Sequence, residues 1–255
     1  MPDFIKYFQE KVVFLPVLLP ENHVFDFNQQ FEEYFLETPF EGTINALHFK
    51  TDNPKGAIVY FHGNSDNLQR WGKIAGDFTQ FGYDILVMDY RSFGKSKGIR
   101  NEDNLNSDAQ FFYDFAKEKY GEGHLIVYGR SLGGAFALKI GAENKPKLII
   151  LEATFYNLQD IVNRWLPEKV TDKVSLKMTY HFLSNENIVK VKVPIYHFHG
   201  TKDFVVPVKS GKKLFEIFEK EKPEIPKKFI EIIGGSHQDL NDFEEFRIEL
   251  KKILE

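Results

Sequence analysis

The chain has 255 residues and a mass of 29.8 kDa, with 42% hydrophobic and 27% charged residues and a formal charge of −4 from 33 basic and 37 acidic side chains. That length buries a large core unaided, which excludes disordered, collagen-like and multi-pass membrane classes, and the slight acidity offers no general field for a phosphate backbone, so no nucleic-acid partner is expected. The absence of cysteine excludes a thiol nucleophile, disulfides and cysteine-based metal sites.

In chain order, Met1–Glu10 carries Asp3, Lys6 and Glu10, and the apolar run Val12–Leu19 is interrupted by Pro16 and falls far short of the roughly 20 residues of a membrane span. It reads as a short extended piece packed on the domain, so a cytoplasmic location is expected and peripheral membrane contact is not favoured. Strands are predicted near Glu33–Glu37, Thr43–Lys50, Ala57–His62, Asp84–Tyr90, His124–Gly129, Lys147–Glu152, Pro194–His199 and Phe229–Ile233. The first two are close enough to pair antiparallel. Helical spacing predicts Leu68–Phe81, Glu102–Tyr120, Ser131–Ala142, Pro207–Glu219 and Phe243–Leu254 between the later strands. This alternation predicts one α/β domain over residues 1–255, with a mostly parallel eight-stranded sheet flanked by helices. The 26 phenylalanines are expected to feed an ordinary core rather than a dedicated apolar-ligand surface. About forty residues separate Glu152 from Pro194, where a plain crossover needs one helix. The excess predicts a small lid insertion at about 156–193, with helices at Leu158–Leu166 and Val170–Phe182 separated by Pro167, over the sheet edge where ligands bind.

The strongest local signal is Gly129-Arg130-Ser131-Leu132-Gly133-Gly134, which follows the strand-like Leu125-Ile126-Val127-Tyr128 and opens a helix. A strand that turns abruptly into a helix strains the serine backbone and lifts its hydroxyl above the sheet at a helix N-terminus, where a developing anion is favoured. A serine hydroxyl needs a base, and the base needs an acceptor that holds it in one tautomer. Asp203 and His237 each follow a strand's carboxyl end, in the order Ser, Asp, His. The oxyanion of an acyl-transfer intermediate needs donors, and the turn Phe61-His62-Gly63-Asn64-Ser65 lies at the same edge. The Asn64 and Leu132 amides are the assigned pair, and His62 is assigned to bracing that loop.

These motifs, together with Asp89-Tyr90-Arg91-Ser92-Phe93-Gly94-Lys95-Ser96 and His199-Gly200-Thr201-Lys202-Asp203, resemble the α/β-hydrolase superfamily over nearly the whole chain. More closely they look like its small-lid ABHD-type serine hydrolases, often labelled serine aminopeptidase-like or lysophospholipase-like. The resemblance implies Ser131 as nucleophile, Asp203 as acid and His237 as base, the roles the residues themselves suggest, with Asp89 and Arg91 structural. It implies an esterase or thioesterase acting on a small-molecule or acyl substrate without a cofactor; a peptidase or a non-catalytic binding protein is the alternative. Many relatives begin with a membrane-anchoring helix, a pattern that Met1–Leu19 does not show, and the stretch from Phe155 to Val193 matches no lid tied to one substrate.

Other residues compete for roles. Glu152, at a strand end, is the alternative acid, and Asp239 is expected to start the helix before Phe243. His197 and His199 share a strand face with Asp203 nearby, but a metal site is not favoured because the triad claims Asp203. Phe93, Phe155, Tyr156 and Phe204 follow strand ends and are candidates to line a substrate pocket or to join the core.

Overall fold

The structure, a computed structural model, describes residues 4–165 and 178–255. Leu166, Pro167 and the first part of the predicted helix Val170–Phe182 lie outside the described residues.

Among the described residues the sheet has eight strands, which are β1 (Phe31–Thr38), β2 (Gly42–Phe49), β3 (Ala57–Phe61), β4 (Asp84–Met88), β5 (Leu125–Arg130), β6 (Leu148–Glu152), β7 (Ile195–Gly200) and β8 (Lys227–Ile232). Their spatial order is β1-β2-β4-β3-β5-β6-β7-β8. β1 pairs antiparallel with β2, and β2 with β4, while every pairing from β4 to β8 is parallel. The α/β-hydrolase architecture expected from the sequence is therefore the one observed. Among the described residues the helices are α1 (Phe4–Val13), α2 (Leu68–Gly76), α3 (Glu102–Tyr120), α4 (Leu132–Glu143), α5 (Leu158–Trp165), α6 (Ser184–Ile188), α7 (Val208–Glu221) and α8 (Glu244–Leu254).

Strand alternation sends side chains to two cores, one on each face. Val59, Val127, Ile149 and Leu151 join Phe112, Leu138 and Phe215 under α3, α4 and α7. Ile58, Tyr60, Ile126, Tyr128 and Ile150 join Leu68, Trp71, Phe246 and Leu250 under α2 and α8. The inner strands are buried on both faces, which is why they read as unbroken apolar runs. Each fully buried aliphatic side chain contributes about 1.5–3 kcal/mol.

Local chemistry sets the ends. Asn67 caps α2 by accepting the Gln69 amide at 2.9 Å, and Asn101 caps α3 by accepting that of Asn104 at 2.8 Å, each cap stabilising its helix by roughly 1 kcal/mol. The predicted helix Leu68–Phe81 is α-helical only to Gly76 and tightens to a 3₁₀ turn over Asp77–Phe81. Thr79 Oγ1 there donates to the Gly76 carbonyl at 2.7 Å. Arg91, fully buried, donates to both oxygens of Asp108 at 2.6 and 2.9 Å, to the Phe40 carbonyl at 2.7 Å and to Thr38 Oγ1 at 2.8 Å. It thus ties the loop after β4 to α3 and the β1–β2 hairpin.

The amino-terminal segment corrects an expectation. Only its later part is extended, because α1 runs through Val13 before Pro16 enforces an extended backbone. Leu15–Pro16 then pairs in parallel with Ser65–Asp66. In the insertion, Leu158–Trp165 is helical as expected, but residues 178–183 are not, and α6 is an additional short helix.

Candidate active site

The elbow is built by close backbone packing. Ser131 adopts φ 53° and ψ −115° between β5 and α4, a left-handed-side conformation that costs a non-glycine residue about 1–3 kcal/mol. Two glycines permit it. A Cβ on Gly133 would fall 1.9 Å from the Phe61 carbonyl oxygen, and one on Gly129 would fall 2.5 Å from that of Gly133. The Ser131 amide is pinned to the end of β6 by a 2.7 Å bond to the Glu152 carbonyl. These contacts hold the strain in place.

Asp203 and His237 come to Ser131 from the ends of β7 and β8. Their loops are stitched together: the Lys202 amide donates to Gly235 O at 2.9 Å and the Gly234 amide to Thr201 Oγ1 at 2.9 Å. His237 Nδ1 lies 2.7 Å from Asp203 Oδ2, and His237 Nε2 lies 3.0 Å from Ser131 Oγ. The Val205 and Val206 amides donate to Asp203 Oδ1 at 2.9 and 2.8 Å. Burial opposes charge on Asp203, but hydrogen bonds from His199 and His237 and from the Val206 amide outweigh it and hold the carboxyl down at about 2. An acceptor fixed as carboxylate forces the proton of neutral His237 onto Nδ1 and leaves Nε2 free to accept from Ser131.

Asn64 follows β3, and the adjacent Gly63 lies against the elbow, where an added Cβ would come 3.9 Å from Ser131 Cβ. The Asn64 side-chain amide donates to the Val13 carbonyl at 2.7 Å and its carbonyl accepts from the Leu15 amide at 2.8 Å. The amino-terminal segment thereby latches this loop, a contact that the sequence did not signal. Leu132 is the first residue of α4 and is buried. His62 is fully buried, with Nδ1 2.6 Å from the Gly63 carbonyl oxygen and its ring stacked on Trp71 at 5.4 Å. Asp89 Oδ1 lies 3.3 Å from its Nε2, and burial raises the Asp89 pKa. Both residues are where a loop brace belongs.

Glu152 is fully buried and occupied elsewhere: it accepts from Tyr128 Oη at 2.5 Å and pairs with Arg130 at 3.3 Å. Arg130 in turn donates to the His237 carbonyl at 3.1 Å, tying the elbow to the histidine loop. Asp239 precedes only a 3₁₀ turn and caps no helix; its Oδ1 accepts the Ser236 amide at 2.6 Å and shapes the turn carrying His237. Of the four aromatic candidates, Phe93 and Phe155 are buried in the core, Tyr156 is half-buried beneath Lys213 Nζ at 3.7 Å, and Phe204 is 71% exposed. Among the described residues no three His, Asp or Glu side chains converge to hold a metal.

The family described as serine aminopeptidase, S33, matches residues 52–188, more than half of the sequence. The chain belongs to this family. It is an ABHD-type α/β-hydrolase, as its relatives and structural neighbours agree. The lysophosphatidylserine lipase ABHD12 of Danio rerio is 30% identical over 195 residues, covering 68% of this chain and 50% of that protein. Protein bem46 of Schizosaccharomyces pombe is 29% identical over 223 residues, covering 84% and 73%. The chain thus spans about half of the first relative's length. Among solved structures, an esterase of Pyrococcus furiosus superposes with a TM-score of 0.70 at 17% identity, covering 95% of this chain and 96% of that one. No described helix of this hydrolase is long and apolar enough to cross a membrane.

Proposed function

We propose that the chain is a serine hydrolase that cleaves carboxylic esters or thioesters through an acyl-enzyme on Ser131. The observation that carries this reading is the relay from Asp203 through His237 to Ser131 Oγ, with contacts of 2.7 and 3.0 Å. His237 Nε2 takes the hydroxyl proton as Oγ bonds to the carbonyl carbon. The Asn64 and Leu132 amides hold the oxyanion, and His237 then returns the proton to the leaving group as the carbon–oxygen or carbon–sulfur bond breaks. Water, deprotonated by the same histidine, releases the acid. The Asp203 carboxylate stabilises the imidazolium formed in each half.

The ester class has a specific support over aminopeptidase action. A peptide amino terminus calls for a carboxylate open to the substrate, yet among the described residues the buried carboxylates beside the elbow are committed, Asp203 to two amides and His237, and Glu152 to Arg130 and Tyr128. Relatives named as a lipase and an esterase favour the same class.

A fluorophosphonate probe tests the reading: it labels the wild type and not Ser131→Ala. A series of p-nitrophenyl esters, an acyl-thioester and an aminoacyl amide then sorts the substrate class. Esterase activity that survives intact in Ser131→Ala refutes the nucleophile, and turnover of the amide above the esters refutes the ester class.

A further inference from the structure

His199 is fully buried beside the site and has no task in the mechanism above. Its Nε2 lies 2.8 Å from the Val206 carbonyl oxygen and 3.5 Å from Asp203 Oδ2, and its Nδ1 lies 3.4 Å from His197 Nε2. A carbonyl oxygen only accepts, so His199 Nε2 carries the proton. The neutral ring then accepts at Nδ1, and His197 Nε2 donates to it. His197 suits that part: it is fully buried, and burial followed by the proximity of His199 pushes its pKa well below the usual histidine range. Packing fixes the His199 ring. A Cβ on Gly211 of α7 would come 2.3 Å from its Nδ1, and the Phe229 ring of β8 is stacked at 6.2 Å.

Val206 accepts from His199 through its carbonyl and donates to Asp203 Oδ1 through its amide. The His199 N–H therefore acts on Asp203 through the turn whose amides bond Oδ1, while its ring nitrogen lies 3.5 Å from Oδ2. We infer that His199 is a positioning residue for hydrolysis: its Nε2–H, donated to the Val206 carbonyl and 3.5 Å from Asp203 Oδ2, fixes the turn whose amides lock Asp203 in the orientation keeping His237 turned to Ser131. The inference rests on the serine-hydrolase reading and deepens it.

Two substitutions of similar polarity separate donor from packing. His199→Gln can place an amide N–H near the position of Nε2, whereas the shorter His199→Asn cannot reach it. Steady-state hydrolysis of p-nitrophenyl acetate is measured for both, beside the wild type and Ser131→Ala, with thermal melts to verify folding. The Asn variant is expected to lose about tenfold or more in kcat with KM within about twofold, the scale of one hydrogen bond to a charged group, and the Gln variant to stay within about threefold of wild type. A folded Asn variant with wild-type kcat overturns the inference, and so does a folded Gln variant that loses about tenfold, because ring packing rather than the donor then matters. Wild-type turnover that persists in Ser131→Ala overturns the hydrolase reading itself, and the inference with it.

Discussion

Replacing Asp203 by Asn exchanges one oxygen for an NH2 group at nearly constant volume, and the contacts around the carboxylate dictate which way the amide must face. Oδ1 accepts from the Val205 and Val206 amides at 2.9 and 2.8 Å, so the Asn oxygen is required there. The NH2 group then occupies the place of Oδ2, 2.7 Å from His237 Nδ1. Two donors cannot face each other, so His237 gives up its Nδ1 proton, carries one on Nε2 instead, and no longer accepts from Ser131. The fold should survive while the base is lost, and the expected fall in kcat is about 10⁴-fold, or about 5.5 kcal/mol of transition-state stabilisation. The assay is p-nitrophenyl acetate hydrolysis with circular dichroism on the same samples. A folded Asp203→Asn variant within about tenfold of wild-type kcat refutes the tautomer argument, because the acceptor at Nδ1 would then be dispensable.

Acid stability follows from the same carboxylate. Its folded pKa of about 2 lies below the ordinary 3.8, so its stabilisation is present above the unfolded value and is lost as pH falls through the folded one. Urea unfolding of wild type and Asp203→Asn should therefore show the stability gap between them narrowing by about 2 kcal/mol as pH drops from about 5 to about 2, and parallel curves would contradict this. Arg91→Ala strands Asp108 in the interior without its bidentate partner. The expected loss is about 3–5 kcal/mol in chemical denaturation, and a loss under about 1 kcal/mol would show that the pair is not a structural tie.

The parallel sheet and its elbow were legible because local chemistry there admits few alternatives. A strand buried on both faces has no room for polar residues, so Ala57–Phe61 and Leu148–Glu152 read correctly with bounds off by a residue. The elbow needs glycines where backbones meet, and Gly129 and Gly133 write that need into the sequence. Elements held by tertiary contact were not legible. α1 is short and is followed by a segment whose hydrogen bonds go to Asn64, Asp66 and Gly94, far along the chain. Residues 178–182 follow a helical pattern, but their backbone instead bonds Glu102 and Gln9, so the Tyr180 and Phe182 rings pack against Phe14. Periodicity cannot reveal partners 80 and 170 residues away.

His199 shows the same limit inside the site. Its spacing from His197 allowed, without favouring, a pair of metal ligands, since alternate strand residues share a face. What decides its part is the turn after β7, which brings the Val206 carbonyl back over the ring and sets Asp203 within reach of the same N–H. Three donors then converge on a single carboxylate, two amides on one oxygen and the His237 imidazole on the other, with the His199 ring 3.5 Å from that second oxygen. A carboxylate so held keeps its charge even though it is buried. Keeping that charge in one place is what an imidazolium forming 2.7 Å away requires. In the proposed mechanism Asp203 therefore depends on a turn and a neighbouring strand residue, and the Ser, Asp, His order in the sequence marks only the three residues at the end of that arrangement.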